Sequence, residues 1–284
     1  MLHWDPNPDL FLVPFLHWPI KWYGFFFALG FTLSFPVFGG ILRRYFSLTG
    51  ISDSISRFTD RLSLYLVIGT VLGARLGHFF FYEHPSDYFH NPIKLLWIRE
   101  GGLASHGGAI GILLALWLFC RVMKSISWIA LLDLLAPCAA LVGAWIRIGN
   151  FFNQEVLGTP SALPWAIVFG HPQDGSFPVP RHPVQLYEAL FYALLFFFLW
   201  RLTYQPKILK MKGLLIGIFL VLCFGFRFFI EFFKEEQSRL LTEATSLLAM
   251  GQWLSLPFIA LGVFLIIFSL KENHPILTKK GETS

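Results

Sequence analysis

Charged side chains are scarce in this chain: Asp, Glu, Lys and Arg make up 14% of its 284 residues, whereas a typical soluble domain contains about 25%. Hydrophobic residues make up 55%, and phenylalanine alone occurs 33 times. This balance excludes an ordinary water-soluble protein and predicts an integral membrane protein. The net charge of +5 does not point to nucleic-acid binding, because the basic residues are divided among several loops and form no patch.

Cysteine is also rare, and the common hydrolase motifs are missing. Cys120, Cys138 and Cys223 lie within or at the end of apolar segments without CxxC spacing, which argues against a disulfide framework and a cysteine metal site. The chain has no HExxH and no GxSxG motif, so neither a zinc hydrolase nor a serine hydrolase is indicated. We therefore predict no metal and no cofactor.

Long apolar runs take the place of these features. A membrane-spanning helix needs about 20 mostly apolar residues, and seven segments meet that requirement. The predicted spans are 19–41, 62–82, 103–121, 128–149, 186–204, 213–233 and 249–270. The predicted fold class is an all-α integral membrane protein, a bundle of seven transmembrane helices in a single polytopic domain (1–284), with outer loops forming a small extramembrane cap.

The distribution of charge predicts the orientation. Lys and Arg favour one side of the predicted membrane by roughly two to one, and the positive-inside rule places that side in the cytoplasm. The N-terminus is then outside and the C-terminus cytoplasmic. Two long outer loops, 150–185 and 234–248, are rich in Gly, Pro and polar residues, so extramembrane function is expected there.

The strongest functional signal is RIGNFFNQEVLG, which runs from Arg147 to Gly158 at the end of the fourth predicted span. An arginine at membrane depth costs roughly 2.5–3.5 kcal/mol even on the lenient insertion scale. The segment also carries Asn150, Asn153 and Glu155, and Arg147 and Asn150 share a helix face because they are three residues apart. A polar site is predicted inside the bilayer or at its edge.

Further polar residues fall toward the same outer half of the predicted bundle. They are Tyr23 on the first span, His106 beside Gly107 and Gly108 on the third, Arg181, Gln185, Tyr187 and Glu188 before the fifth, and Arg227 with Glu231 on the sixth. Each has a structural interpretation: an intramembrane ion pair, close glycine packing, an interfacial anchor, a snorkelling arginine or a packing histidine. Their coincidence on one side favours a shared site.

The excess of arginine over carboxylate points to an anionic ligand. Arg147 and Arg227 face one obvious partner, Glu231, and a planar guanidinium binds phosphate in a bidentate manner. At that depth the abundant phosphate is a lipid headgroup. Because the chain's own cysteines are poorly placed for a nucleophile, an enzyme of this kind would receive its nucleophile with the substrate. Two alternatives remain, a lipid or anion transporter and a structural membrane subunit, although we find no inverted repeat of the kind common in transporters.

These residues resemble the signature of the bacterial prolipoprotein diacylglyceryl transferases. The resemblance extends in order along essentially the whole chain, through WYG at Trp22–Gly24, HGG at His106–Gly108, RIGNFFNQEVLG, RHPVQLYE at Arg181–Glu188, FRFFIEFF at Phe226–Phe233 and MGQWLSLP at Met250–Pro257. One position departs from the family pattern, because Ile146 stands where the family has glycine. We expect the helix to approach its neighbour less closely there.

The resemblance implies transfer of the diacylglyceryl group of phosphatidylglycerol to the lipobox cysteine thiol of a preprolipoprotein. A thioether forms and glycerol 1-phosphate leaves, in the first step of lipoprotein maturation at the bacterial inner membrane. The implied partners are phosphatidylglycerol, lipobox peptides and the bilayer, and no nucleic acid.

Specific roles follow as hypotheses. Arg147 and Arg227 stabilise the leaving phosphate, Glu231 orients Arg227, and His106 is the candidate general base, since an imidazole titrates near neutrality. Tyr23, Asn150, Asn153 and Glu155 shape the headgroup site, and Gly158 provides a backbone turn. The outer wall is assigned to Arg181, Gln185, Tyr187 and Glu188.

Overall fold

Helices dominate the structure, a computed structural model that describes residues 1–13, 18–82, 104–235 and 248–272. Within these ranges, seven helices are long and apolar enough to cross a membrane. They are α1 (Trp22–Thr49), α2 (Ile55–Tyr82), α3 (Ser105–Met123), α4 (Trp128–Phe152), α5 (Val184–Leu202), α7 (Leu214–Ile230) and α8 (Met250–Glu272). The short helix α6 (Pro206–Lys210) lies between α5 and α7, and a 3-10 turn (Glu231–Phe233) follows α7. The all-α membrane class is confirmed.

Each predicted span corresponds to one of these helices, and the ends differ by a few residues at most positions. The largest difference is in α1, which continues to Thr49 instead of ending at 41. Apolar length determines which part of a helix can cross the lipid, whereas the helical backbone continues through the polar residues beyond it.

Short strands form the extramembrane cap. In the described ranges these are β1 (Leu2–Trp4), β2 (Asp9–Val13), β3 (Trp18–Lys21), β4 (Ile167–Phe169) and β5 (Pro180–Arg181). Strand β4 pairs in parallel with β1 and antiparallel with β5, and β2 pairs antiparallel with β3. The cap therefore joins the N-terminus to the loop before α5.

The cap also holds the end of α4. Trp4 Nε1 donates to the carbonyl of Phe151 at 3.1 Å, and Gln154 Nε2 donates to Asp5 Oδ1 at 3.2 Å. Asp5 Oδ1 also lies 2.6 Å from His171 Nδ1, and this hydrogen bond lowers the pKa of the Asp5 carboxyl. Trp4 and Asp5, near the N-terminus, thus hold the end of α4 and Gln154 in place.

The chain divides into two compact units, one formed by Met1–Tyr45 with Leu132–Ser284 and the other by Phe46–Leu131. In the second unit, α2 and α3 pack through glycines. A Cβ added to Gly73 would lie 2.5 Å from the carbonyl oxygen of Gly107 and 2.7 Å from Cα of Gly111. Gly107 therefore serves close helix packing, as its structural interpretation predicted.

In the first unit, α4 contacts both α1 and the beginning of α7. The rings of Phe26 and Trp145 stack with centroids 5.8 Å apart. Asp133, with 3% of its surface exposed, accepts hydrogen bonds from the backbone N–H groups of Gly213 (2.5 Å) and Ile216 (2.8 Å). The first N–H groups of a helix have no partner within the helix, so Asp133 caps α7.

Candidate active site

The signature segment forms a hydrogen-bonded chain at the end of α4. Arg147 Nη1 donates to Asn150 Oδ1 at 3.2 Å, and Asn150 Nδ2 donates to Glu155 Oε1 at 2.8 Å. Asn153 Nδ2 reaches the same carboxylate oxygen at 3.4 Å. The predicted shared face of Arg147 and Asn150 is therefore formed, and both asparagine amides converge on Glu155.

A tight backbone turn brings Glu155 back over the helix end. Gln154 and Val156 both adopt left-handed backbone conformations, with φ of 53° and 57°, and the N–H of Glu155 donates to the carbonyl of Asn150 at 3.1 Å. Such a conformation is unfavourable for a β-branched residue and costs about 1–3 kcal/mol. The surrounding contacts hold this strained turn, a feature that clusters at functional sites.

The carboxylate that pairs with Arg147 is Glu188 on α5. Arg147 Nε lies 3.3 Å from Glu188 Oε2, and the Glu188 side chain is fully buried. Lys234 Nζ approaches the other oxygen, Oε1, at 2.9 Å. We expected Glu231 to be the only obvious carboxylate partner of the arginines, and this was wrong because Glu188 reaches Arg147 from another helix.

The expected ion pair between Arg227 and Glu231 is not formed either. Glu231 follows the end of α7 at Ile230 with helical backbone angles, and its N–H donates to the carbonyl of Arg227, but its carboxylate does not pair with the Arg227 guanidinium. It lies instead against Gly251, where an added Cβ would come 2.5 Å from Glu231 Cδ, and its Oε2 is 3.9 Å from Lys234 Nζ. Arg227 therefore keeps a charge that Glu231 does not neutralise by direct contact.

Lys234 lies next to the signature segment as well. It forms an isolated antiparallel bridge with Gly158, and the backbone bonds Thr159 N–H to Phe233 O (2.9 Å) and Glu235 N–H to Leu157 O (3.0 Å) flank the bridge. Burial lowers the pKa of the Lys234 ammonium, and the charge of Glu188 opposes that shift. Lys234 is thus a largely buried side chain that both backbone and side-chain contacts hold in place.

Tyr23 approaches the same group from the start of α1. It lies within electrostatic range of Glu155 and Arg147. A Cβ on Gly149 would lie 3.1 Å from Tyr23 Cδ2 and 3.2 Å from Tyr23 Cα, so glycine allows this close approach without a shift of Tyr23. The close approach of α4 to α1 at this level depends on Gly149, three residues after the half-buried Ile146.

Comparison with known proteins places these features in a family. The family profile described as "Prolipoprotein diacylglyceryl transferase" matches residues 10–268. The chain belongs to the prolipoprotein diacylglyceryl transferase family.

Relatives named phosphatidylglycerol–prolipoprotein diacylglyceryl transferase match over nearly their full length. The protein of Tolumonas auensis is 43% identical over 96% of this chain and 99% of its own. That of Chloroherpeton thalassium is 39% identical over 95% of each chain, and that of Porphyromonas gingivalis is 40% identical over 97% of this chain and 96% of its own. The resemblance predicted from the motifs is confirmed.

In this member of the transferase family, the predicted wall residues bind other protein groups. Arg181, with 4% exposure, donates to Gly158 O and Ser176 Oγ, both at 3.1 Å, and pairs with Glu235. Gln185 Nε2 donates to the carbonyl of Glu155 at 2.8 Å. Trp165 Nε1 donates to the Tyr187 hydroxyl at 2.8 Å. These contacts favour support of the site over direct binding of substrate.

The reason for glycine at position 158 differs from the expected one. Its φ is not left-handed, so no backbone turn demands glycine there. An added Cβ would instead overlap the carbonyl oxygen of His182 and lie 2.8 Å from His182 Cβ. Gly158 is therefore required by space between two backbone segments of the transferase.

His106 lies in the first turn of α3, in the second compact unit, and its side chain is exposed. Its role as a base stays a prediction. Among the described residues, no group of three or more His, Cys, Asp or Glu side chains is arranged to hold a metal ion.

Three residues have more contacts at the site than their place in the sequence indicates: Glu188, Tyr192 and Lys234. Glu188 and Tyr192 are four apart on α5, and both interact with the guanidinium of Arg147. A carboxylate inside an apolar span was a usable signal, since an intramembrane charge implies a partner. Lys234 gave no such signal, because it lies just beyond the sixth predicted span.

Proposed function

We propose that this chain transfers the diacylglyceryl group of phosphatidylglycerol to the lipobox cysteine thiol of a preprolipoprotein. Family membership supports the reaction, and the observation that carries its assignment to this site is the buried, oriented guanidinium of Arg147. The substrates are a lipid and a peptide segment, both of which reach the enzyme at the bilayer.

The reaction exchanges one bond for another. A C–S bond forms between the cysteine sulfur and the glyceryl carbon, while the C–O bond from that carbon to the phosphate breaks. The electron pair of the broken bond stays on the phosphate oxygen, so glycerol 1-phosphate leaves with added negative charge. The thiol proton passes to a base, because the thiolate is the effective nucleophile.

In our proposal, the site residues have different roles in the transfer reaction. Arg147 and Arg227 stabilise the charge that develops on the phosphate, since fixed donors in a water-poor site need no reorganisation during the reaction. Tyr23, Asn150, Asn153 and Glu155 shape the headgroup site, and Glu231 belongs to its wall beside Lys234. Gly158, Arg181, Gln185 and Tyr187 support the segment that carries Glu155. His106 is our candidate for the base.

The finer location is also a proposal. The bias of Lys and Arg supports a multi-pass inner-membrane protein with its N-terminus in the periplasm and its C-terminus in the cytoplasm, as a single polytopic domain. Alkaline phosphatase fused after Glu272 should be inactive, and the same reporter fused in the segment 161–179 should be active. The reverse pattern would contradict the orientation.

One assay tests the function. Membranes containing the protein are incubated with phosphatidylglycerol labelled in its acyl chains and with a lipobox peptide. We expect labelled peptide and an equal amount of glycerol phosphate. Lipid movement across the membrane without labelled peptide would favour a transporter, and neither product would favour a structural subunit.

A further inference from the structure

The charges around Glu188 form a fixed group of three. Arg147 and Lys234 approach different oxygens of this one carboxylate, at 3.3 Å and 2.9 Å. The Glu188 side chain is fully buried and that of Lys234 is 9% exposed, so water screens these charges little. We propose that Glu188 is a positioning residue that orients Arg147, and that Lys234 keeps the group positive so that Arg147 can act on a phosphate.

The contacts of the Arg147 guanidinium fix its orientation. Arg147 Nε forms an ion pair with Glu188 while Nη1 donates to Asn150, so two edges of the planar group have fixed partners. Tyr192, one turn beyond Glu188 on α5, also interacts with Arg147. A side chain held in this way loses little freedom on binding, and its remaining donors point in a defined direction.

Lys234 determines the net charge of this group. Arg147 and Glu188 alone would form a neutral pair, and a neutral pair attracts an anion weakly. Lys234 gives the group of three a net charge of +1. Glu231 Oε2 lies 3.9 Å from Lys234 Nζ, compared with 2.9 Å for Glu188 Oε1. Because the attraction between charges weakens with distance, Glu231 interacts less strongly with the Lys234 ammonium than Glu188 does.

Two backbone contacts link Lys234 to the signature segment. The bridge to Gly158 and the bond from Glu235 N–H to Leu157 O hold its main chain beside the residues that follow Glu155. The lysine is therefore a fixed part of the site and not a freely moving surface side chain.

The test is a double-mutant cycle in the transfer assay, with kcat and KM measured separately for lipid and peptide. Lys234→Gln leaves Glu188 to neutralise Arg147, so kcat should fall at least about tenfold with little change in the KM for peptide. Lys234→Arg keeps the charge and should stay within about threefold of wild type. Glu188→Gln frees Arg147 from its acceptor and should also lower kcat.

The double variant decides the proposal. Glu188→Gln with Lys234→Gln restores a net charge of +1, so it should be more active than the product of the two single effects predicts. Effects that simply multiply would overturn the proposal. If Glu188→Gln does not fold, the comparison of Lys234→Gln with Lys234→Arg decides alone, and equal rates would overturn it. If neither Glu188→Gln nor Lys234→Gln folds, the group is structural and the proposal fails.

Asp133→Asn is the matched control. Asp133 is also a buried carboxylate with fixed partners, but these are backbone N–H groups at the start of α7. This variant should lower thermal stability and leave kcat per folded enzyme unchanged. The inference rests on the proposed transferase function, and the two fail differently: an inactive wild type contradicts the function, whereas an active wild type with independent effects contradicts only the role of Glu188 and Lys234.

Discussion

At the residue scale, the site shows how a side chain's role depends on partners that are distant in sequence. The short-range contacts of Arg147, Asn150 and Glu155 were predictable because helix geometry places residues three and four apart on one face. The ion pair of Arg147 with Glu188 was not, since it joins two helices. The pairing of Arg227 with Glu231 was predicted from the same helix rule, and it is not formed because the Glu231 carboxylate lies instead against Gly251 and near Lys234.

The close packing of Gly158 against His182 leads to a prediction about stability and activity. Gly158→Ala would force its Cβ into the backbone of His182, so we expect a loss of roughly 1–3 kcal/mol in stability and a marked loss of activity. Thermal unfolding in detergent and the transfer assay measure the two effects. Gly39→Ala is the control, because its Cβ would meet nothing within 4 Å and alanine favours a helix. Equal behaviour of the two variants would refute the steric explanation.

His106 leads to a prediction about pH. If its imidazole accepts the thiol proton, His106→Gln should lower kcat by about 10²-fold or more and change the pH dependence of the rate. The measurement is the transfer rate between pH 5.5 and 9. Thiols titrate near pH 8.5 without help, so a rate that rises only there would remain in the variant. An unchanged rate and profile would remove His106 from the mechanism.

At the element scale, the spans were predictable because apolar length is a local property of the sequence. The strands were not, since each has two to five residues and finds its partner far along the chain, as β1 does with β4. The turn after α4 was also unforeseen. It depends on left-handed conformations at Gln154 and Val156, residue types that do not signal such a turn.

The hydrogen bonds between Asp133 and the start of α7 lead to a prediction about stability. Asp133→Ala removes the acceptor for two buried N–H groups, so we expect a loss of about 1–3 kcal/mol in stability. The unfolding midpoint in detergent should fall, while kcat per folded enzyme stays near the wild-type value. A midpoint equal to that of wild type would show that Asp133 does not stabilise α7.

At the scale of the whole molecule, the composition and the seven predicted spans were enough to predict a multi-pass membrane protein, and the long apolar helices of the described residues together with family membership confirm that class. The charge balance of the site needed the folded chain. The sequence shows two arginines and one evident carboxylate, whereas the structure adds Glu188 and Lys234 to the same group. Within the group of Arg147, Lys234 and Glu188, one positive charge is in excess.

The central claim is that an oriented guanidinium at Arg147 stabilises the leaving phosphate, and Arg147→Lys tests it most directly. Lysine keeps the charge but loses the planar fork and its contacts with Glu188 and Asn150, so kcat for transfer from phosphatidylglycerol should fall by about 10²-fold or more. Arg201→Lys, at the exposed end of α5, is the control and should keep wild-type turnover. Full turnover by a folded Arg147→Lys variant would contradict the account.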